Sequence, residues 1–431
     1  MSMIVDRHEE GHTPSLSIFE PLVVETGVER AEYQDFGTSV ALRKNAPIEF
    51  RISGASADYV LLPECLLCLK VRILKSNGDT LGVDDEVSLL NFPVNTMFRQ
   101  VDVSLNQQIV SPNIGTNYMY KCIFDIVAGR YEGSVVPLQA GLFFRDISGD
   151  MQNSRTKRGG NKGVMFRANW TNESKICDLQ GPLFVDICQQ YKYIPNGVEI
   201  DVKLYPNSDA FNLFTASAEQ YQLEIQEAVL RVCKVKVSPM IITSHAKAFE
   251  KSPAIIEFTK SDIKTFSIPT GAYKFQADDI FQSLIPSKLF VALTSSSGYS
   301  GNYNTNPFDF KHYNLNFIQF TVDGKSVPGD GIKCNFAAKE YITPFLALHP
   351  PSKKRLGNRF MIGREDFANG YAIYCFDVNL KHDDNHSQLV KRGHTRLQLS
   401  FANPLPESAT VLVYAMTPSF LQIDKSRNVI L

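Results

Sequence analysis

Two β-hairpin signals more than two hundred residues apart constrain this chain more than any other feature. In 316–328, NFIQFTVDGKSVP, apolar Ile318, Phe320 and Val322 alternate with polar Gln319 and Thr321, and Asp323-Gly324 follows. Alternation with a period of two places one set of side chains on one face of a strand, and Asp-Gly is a strong two-residue turn signal. In 99–112, RQVDVSLNQQIVSP, Val101, Val103 and Leu105 alternate in the same way, and Asn106-Gln107 stands where the turn falls. Both segments end in a Ser/Val–Pro stop.

The agreement extends beyond the hairpins. LLPECLLCLKVRILKSNGD (61–79) has a counterpart in SLIPSKLFVALTSSSGYSG (283–301): Pro enters an apolar strand that runs into a Ser/Asn/Gly loop. YIPNGVEIDVKLYPNSDAF (193–211) corresponds to LVKRGHTRLQLSFANPLPES (389–408), and a last strand closes each half, LEIQEAVLRVCKV and ATVLVYAMT. The offset drifts from 223 (Pro63 to Pro286) through 217 (Leu105 to Val322) to 196 (Gly197 to Gly393), as insertions of unequal length between matched strands require. The chain therefore reads as one β-unit used twice, with the pattern breaking at 236–253.

Most remaining segments also read as strands. VEIDVKLY (198–205) and RLQLSF (396–401) alternate, YQLEIQEAVLRVCKVKV (221–237) is a long β-rich run, and TVLVYAM (410–416) is the continuous apolar run of a strand covered on both faces. A helix is predicted in 117–131, with Tyr120, Ile123, Phe124 and Val127 at helical spacing and Gly129 able to end it, and one short turn at Arg364–Ala368. The expected fold is all-β: two tandem eight-stranded jelly rolls, each of two facing four-stranded sheets, with short helices in long inter-strand loops. The pattern alone also accommodates an immunoglobulin-like or galactose-binding-like sandwich. The long stretches 113–183 and 329–388 are expected to leave one end of the sandwiches and meet as a tower or an interface, since loops of that length are uncommon unless functional. The expected division is an N-terminal arm at 1–20, a first jelly roll at 21–240, a second at 241–417 and a C-terminal tail at 418–431.

The chain is long enough for two or three domains: 431 residues, 44% of them hydrophobic and 21% charged. Lys plus Arg (44) balances Asp plus Glu (45), which argues against a surface that grips nucleic acid and against sequence-specific nucleic acid as a partner. The basic run Arg155-Thr156-Lys157-Arg158 reads as a solvated loop tip. The opening MSMIVDRHEEGHT lacks the apolar core of a secretory signal, and no run approaches 18 apolar residues. With Cys65, Cys68, Cys122, Cys177, Cys188, Cys233, Cys334 and Cys375 mostly inside apolar runs, free thiols in a reduced compartment are expected.

Catalytic and cofactor chemistry does not stand out. Cys65-x-x-Cys68 has no second pair at zinc spacing and lies in a strand pattern, where residues three apart face opposite ways. His382-Asp383-Asp384-Asn385-His386 lacks a helical frame and reads as a hydrophilic loop. Asp84-Asp85 and Asp278-Asp279 read as turn residues, and no nucleophile elbow, P-loop or dinucleotide fingerprint occurs. Aromatics such as Phe317, Phe320 and Phe376 are expected in strand cores rather than on a carbohydrate platform. The expectation is thus no enzyme, no catalytic or metal-site residues and no cofactor, with a structural or binding role instead.

The residues sharpen this further. NPFDFKHYNLNFIQFTVDGKSVP (306–328), GREDFANGYAIYCFDVN (363–379) and IDKSRNVI (423–430) resemble the hexon-type major capsid proteins of Polinton/Maverick-like and adintovirus-like DNA elements. SIFEP (17–21) and APIEFRISGASADYVLL (46–62) are similar to that family's start, and HAKAFEKSPAIIEFTKSDIKTFSIPTG (245–271) to its mid-chain linker, while 133–170 matches least. The resemblance implies a double jelly roll, a homotrimeric capsomer of pseudo-sixfold outline, icosahedral tiling, and localisation in the virion capsid after assembly inside the host cell. It also implies neighbouring capsomers, minor capsid proteins and penton proteins as partners, with the arm at 1–16 and the segment after Pro418 placed to reach neighbours. The alternative is a β-sandwich protein of the virion or cell surface that binds a receptor or glycan.

Overall fold

The computed structural model describes residues 26–111, 115–127, 134–281, 284–349, 362–378 and 391–431. The expected arm at 1–20 and the segment His382–His386 lie outside them.

The first unit contains β1 (Val28–Gly37), β2 (Ile48–Ile52), β3 (Tyr59–Lys75), β4 (Phe98–Leu105), β5 (Gln108–Ile109), β6 (Cys177–Pro182), β7 (Ile200–Pro206) and β8 (Tyr221–Val237). They form two antiparallel sheets ordered β1-β8-β3-β6 and β2-β7-β4-β5. The second unit contains β9 (Ala254–Ile268), β10 (Lys274–Asp278), β11 (Lys288–Ser295), β12 (Leu315–Val322), β13 (Lys325–Lys333), β14 (Ile373–Asp377), β15 (Thr395–Phe401) and β16 (Ala409–Ile423). Its sheets run β9-β16-β11-β14 and β10-β15-β12-β13, again antiparallel. Adding eight to each strand number converts one unit into the other. Two facing four-stranded sheets with this interleaved order are jelly rolls, and the chain is a double jelly roll.

The hairpins that announced the repeat have the same turn. Asn106 and Gln107 lie at φ 45° and 68°, Asp323 and Gly324 at 49° and 76°. Two successive left-handed residues are what a two-residue turn needs to match strand twist. Matched prolines do not occupy matched places: Pro286 precedes β11, whereas Pro63 lies within β3. The extra length of β3 pairs with the end of β8, and Pro63 sits where that ladder slips between Arg231 and Cys233, so its missing N–H is tolerated.

Five helices lie between strands: α1 (Tyr118–Val127), α2 (Lys162–Thr171), α3 (Pro239–Phe249), α4 (Ile342–Leu348) and α5 (Arg364–Ala368). α1 and α5 meet the expectations. α3 fills the break at 236–253 and was not anticipated; its Ile241 and Ile242 pack on a small cluster of Tyr59, Cys233, Val235 and Val237. The segment after Pro418 does not stand free. Residues to Ile423 continue β16, and β17 (Val429–Ile430) folds back to pair with it. Arg427 then reaches the first unit, where its carbonyl accepts from Asn106 Nδ2 (2.7 Å) and its guanidinium donates to Asn196 Oδ1 (3.1 Å).

Candidate functional site

The two units meet along a seam made of unlike faces. The outer face of the β9-β16-β11-β14 sheet is covered by α1, so this sheet is buried on both sides. Residues 409–415 of β16 are all buried, as the continuous apolar run predicts. Phe124 of α1 stacks on Phe310 (5.4 Å between centroids) and on Tyr414 (5.5 Å), and Tyr414 stacks on its ladder partner Phe290 (6.0 Å). Tyr120, one turn earlier, stacks on Tyr299 (5.7 Å) and meets the edge of Phe308 (5.8 Å).

A charged cluster lies inside this aromatic seam. Lys121 of α1 is wholly buried; its ammonium lies 2.6 Å from Asp125, one turn along, and 3.2 Å from Asp186. Asp186 accepts from the Ser261 N–H (2.6 Å) and hydroxyl (2.8 Å) on β9, and Tyr414 of β16 donates to Asp125. Gln189 adds a donor to Asp125 at 3.1 Å. Buried charges persist only when paired and hydrogen-bonded, and here each carboxylate takes hydrogen bonds from the opposite unit. The cluster therefore fixes the register of one sandwich against the other.

A second node seals the long connections. Arg167 of α2 donates to the carbonyls of Leu89 (3.0 Å) and Phe144 (2.9 Å) and pairs with Asp146 (2.7 Å), both side chains being buried. The Asp146 carbonyl accepts from Tyr371 (2.8 Å), Ser148 donates to Asp366 of α5 (2.5 Å), and Arg145 pairs with Asp366. Thus the two long connections do meet, as expected. Burial pushes the Asp366 carboxyl up, but the Ser148 hydroxyl, the Gly363 N–H and the Arg145 guanidinium outweigh it and hold the group below the ordinary carboxylate range.

Beside this node opens a cleft of about 600 Å3 lined by Asp150, Gln152, Asp309, Lys311, Tyr313 and Glu407 among others. Its acids are engaged: Asp309 accepts from Gln152 (2.7 Å), and Glu407 accepts from Lys311 (2.7 Å) and Tyr313 (2.8 Å).

The first unit's matching sheet is different. The outer face of β1-β8-β3-β6 is open and carries cross-strand ion pairs: Lys70 with Glu227 (2.6 Å), Arg72 with Glu224, and Arg231 with both oxygens of Asp35 (2.8 and 3.0 Å). Tyr33 on the edge strand is 53% exposed.

The residues weighed as chemistry fall as follows. Cys65 faces the core and burial pushes its thiol up to about 12, while Cys68 is half-buried on the opposite face. The basic run is a loop with Arg155, Lys157 and Arg158 exposed. Asp85 accepts from the Gly82 N–H (2.6 Å) and Asp279 is left-handed, both turn roles. Phe320 and Phe376 are core, but Phe317 is half-buried on the outer face, because it alternates with Ile318 and Phe320. Among the described residues no cluster of three or more His, Cys, Asp or Glu is placed to hold a metal ion, and no helix is long and apolar enough to cross a membrane. The buried cluster went unremarked in the sequence, although a Lys and an Asp four apart inside an otherwise apolar helix are its signal.

No family model matches the chain. An uncharacterized protein of Caenorhabditis elegans is 22% identical over 425 residues, spanning 94% of this chain and 97% of the relative. Among solved structures, a chain of the Sputnik virophage shares 12% identity and a TM-score of 0.63 over 98% of this chain and 92% of its own. The mavirus major capsid protein gives 11% and 0.56 over 98% and 95%, and the Faustovirus major capsid protein 8% and 0.53 over 94% and 92%. The likeness spans both units, and the double jelly-roll fold is common to all of them.

Proposed function

We propose that this chain is a major capsid subunit that trimerises into pseudo-hexameric capsomers and tiles an icosahedral shell. The observation that carries the reading is the repetition of one strand order in two units locked by a buried seam. Three such chains present six similar wedges, which suits a hexagonal lattice site, while two non-identical halves allow different contacts at its edges. The fold likeness to capsid proteins over nearly the whole chain supports the same reading. A non-enzymatic role, residence in the virion, and minor capsid and penton proteins as further partners belong to this proposal.

Size decides it. The purified protein is expected at about 145 kDa, three times 48.3 kDa, or as particles visible by electron microscopy. A protein that stays monomeric at micromolar concentration overturns the reading and favours the receptor- or glycan-binding alternative.

A further inference from the structure

The seam is heterologous: the hairpin-to-β6 connection of one unit, with α1, covers the outer sheet face of the other. Joining two like units through unlike faces leaves each face's counterpart unused. The first unit keeps an open outer face on β1-β8-β3-β6. The second keeps its own connection from β13 to β14, which contains α4 at the place in chain order that α1 holds in the first. Heterologous contacts propagate head to tail and make a ring where the rotation closes.

We propose that α4 of one copy docks on the outer face of the β1-β8-β3-β6 sheet of the next copy, repeating between chains the contact that the seam makes within one. The number of copies in the ring rests on the capsid reading; the pairing of faces rests on the internal repeat. Two observations fit a second copy as the occupant. Ile342 and Leu346 stand one helical turn apart on α4, 42% and 47% exposed, an apolar pair with no cover. On the receiving face every charge of the ladder already has its partner: Lys70 with Glu227, Arg72 with Glu224 and Arg231 with Asp35. A neighbour can cover such a face without stranding a single charge, and Tyr33 adds a large exposed ring at its edge.

The test uses the full chain. An Ile342→Glu, Leu346→Glu double variant should keep the wild-type circular dichroism spectrum and lose assembly, falling from the trimer mass to that of one chain by light scattering. Tyr33→Cys protein mixed with Leu346→Cys protein, both in a Cys68→Ser background, should form an interchain disulfide that neither forms alone. If the wild type assembles and the double variant assembles equally well, or if assembly is lost but no cross-link forms, this pairing of faces is wrong and the capsid reading stands. If the wild type never assembles, it is the capsid reading that has failed.

Discussion

The same sheet occurs twice in this molecule with opposite outer faces. In the second unit, β9-β16-β11-β14 has its outer face sealed by α1 and presents Ser261, Phe290 and Tyr414 to a buried ionic cluster. In the first, β1-β8-β3-β6 has its outer face in solvent and tiled with ion pairs. Inner faces are alike, because both must fill a sandwich core. The difference teaches that the outer face records what lies against the sheet, and that charge is used in two ways: as a buried lock on one sheet and as a soluble cover on the other.

The largest contrast should come from removing one cation on each sheet. Lys121→Met takes away the ammonium that Asp125 and Asp186 share, inside a seam from which water is excluded. Breaking a buried pair on one side costs about 3–5 kcal/mol, because the other side stays buried and charged. The urea midpoint of the variant should fall sharply, with the seam opening first. A variant as stable as the wild type would mean that the cluster is not a lock.

This contrast was only half legible beforehand. Alternation in β4, β7, β12 and β15 marks strands with one dry face, and the unbroken TVLVYAM marks one dry on both, so the asymmetry between the last strands of the halves was visible in the residues. What covers β16 was not. The partner surface is a helix nearly three hundred residues upstream, and periodicity within a segment carries no information about which distant face it meets. α2 and α3 escaped notice for a local reason. α2 has Phe166 and Trp170 exposed beside buried Val164 and Ala168, so it lacks a clean apolar stripe, and α3 buries no residue fully. The segments that carried the family resemblance include Phe308, Phe310, Asp366 and Arg427, all of which bridge the units.

A smaller effect separates the seam from the ladder by pH. Asp366 is held below the ordinary carboxylate value, about 3.9 unfolded, by Ser148, Gly363 and Arg145 against the opposing pull of burial. A depressed acid contributes stability that is present above its unfolded value and lost as pH falls through the folded one. Asp366→Asn should therefore unfold at lower urea than the wild type at pH 7, and the gap should close as pH falls below about 4. A gap that is constant with pH would assign the effect to packing rather than to charge.

The smallest effect on folding and the sharpest on the comparison belongs to Arg231→Ala. In the single chain its bidentate pair with Asp35 is exposed, and exposed ion pairs contribute little, so the urea midpoint should stay within measurement error in low and high salt alike. Once a neighbour's α4 lies on that face, Asp35 loses both its partner and its water. Truncating one member of a covered charge pair acts mainly on dissociation, so the assembly should dissociate about tenfold faster or more while the fold is unchanged. Equal loss in fold and assembly would make the ladder a structural feature of the first sandwich, and no loss in either would leave the face in solvent in the assembled state too. Only the split outcome, an indifferent monomer and a weakened ring, makes the open face of the first unit the between-chain counterpart of the sealed face of the second.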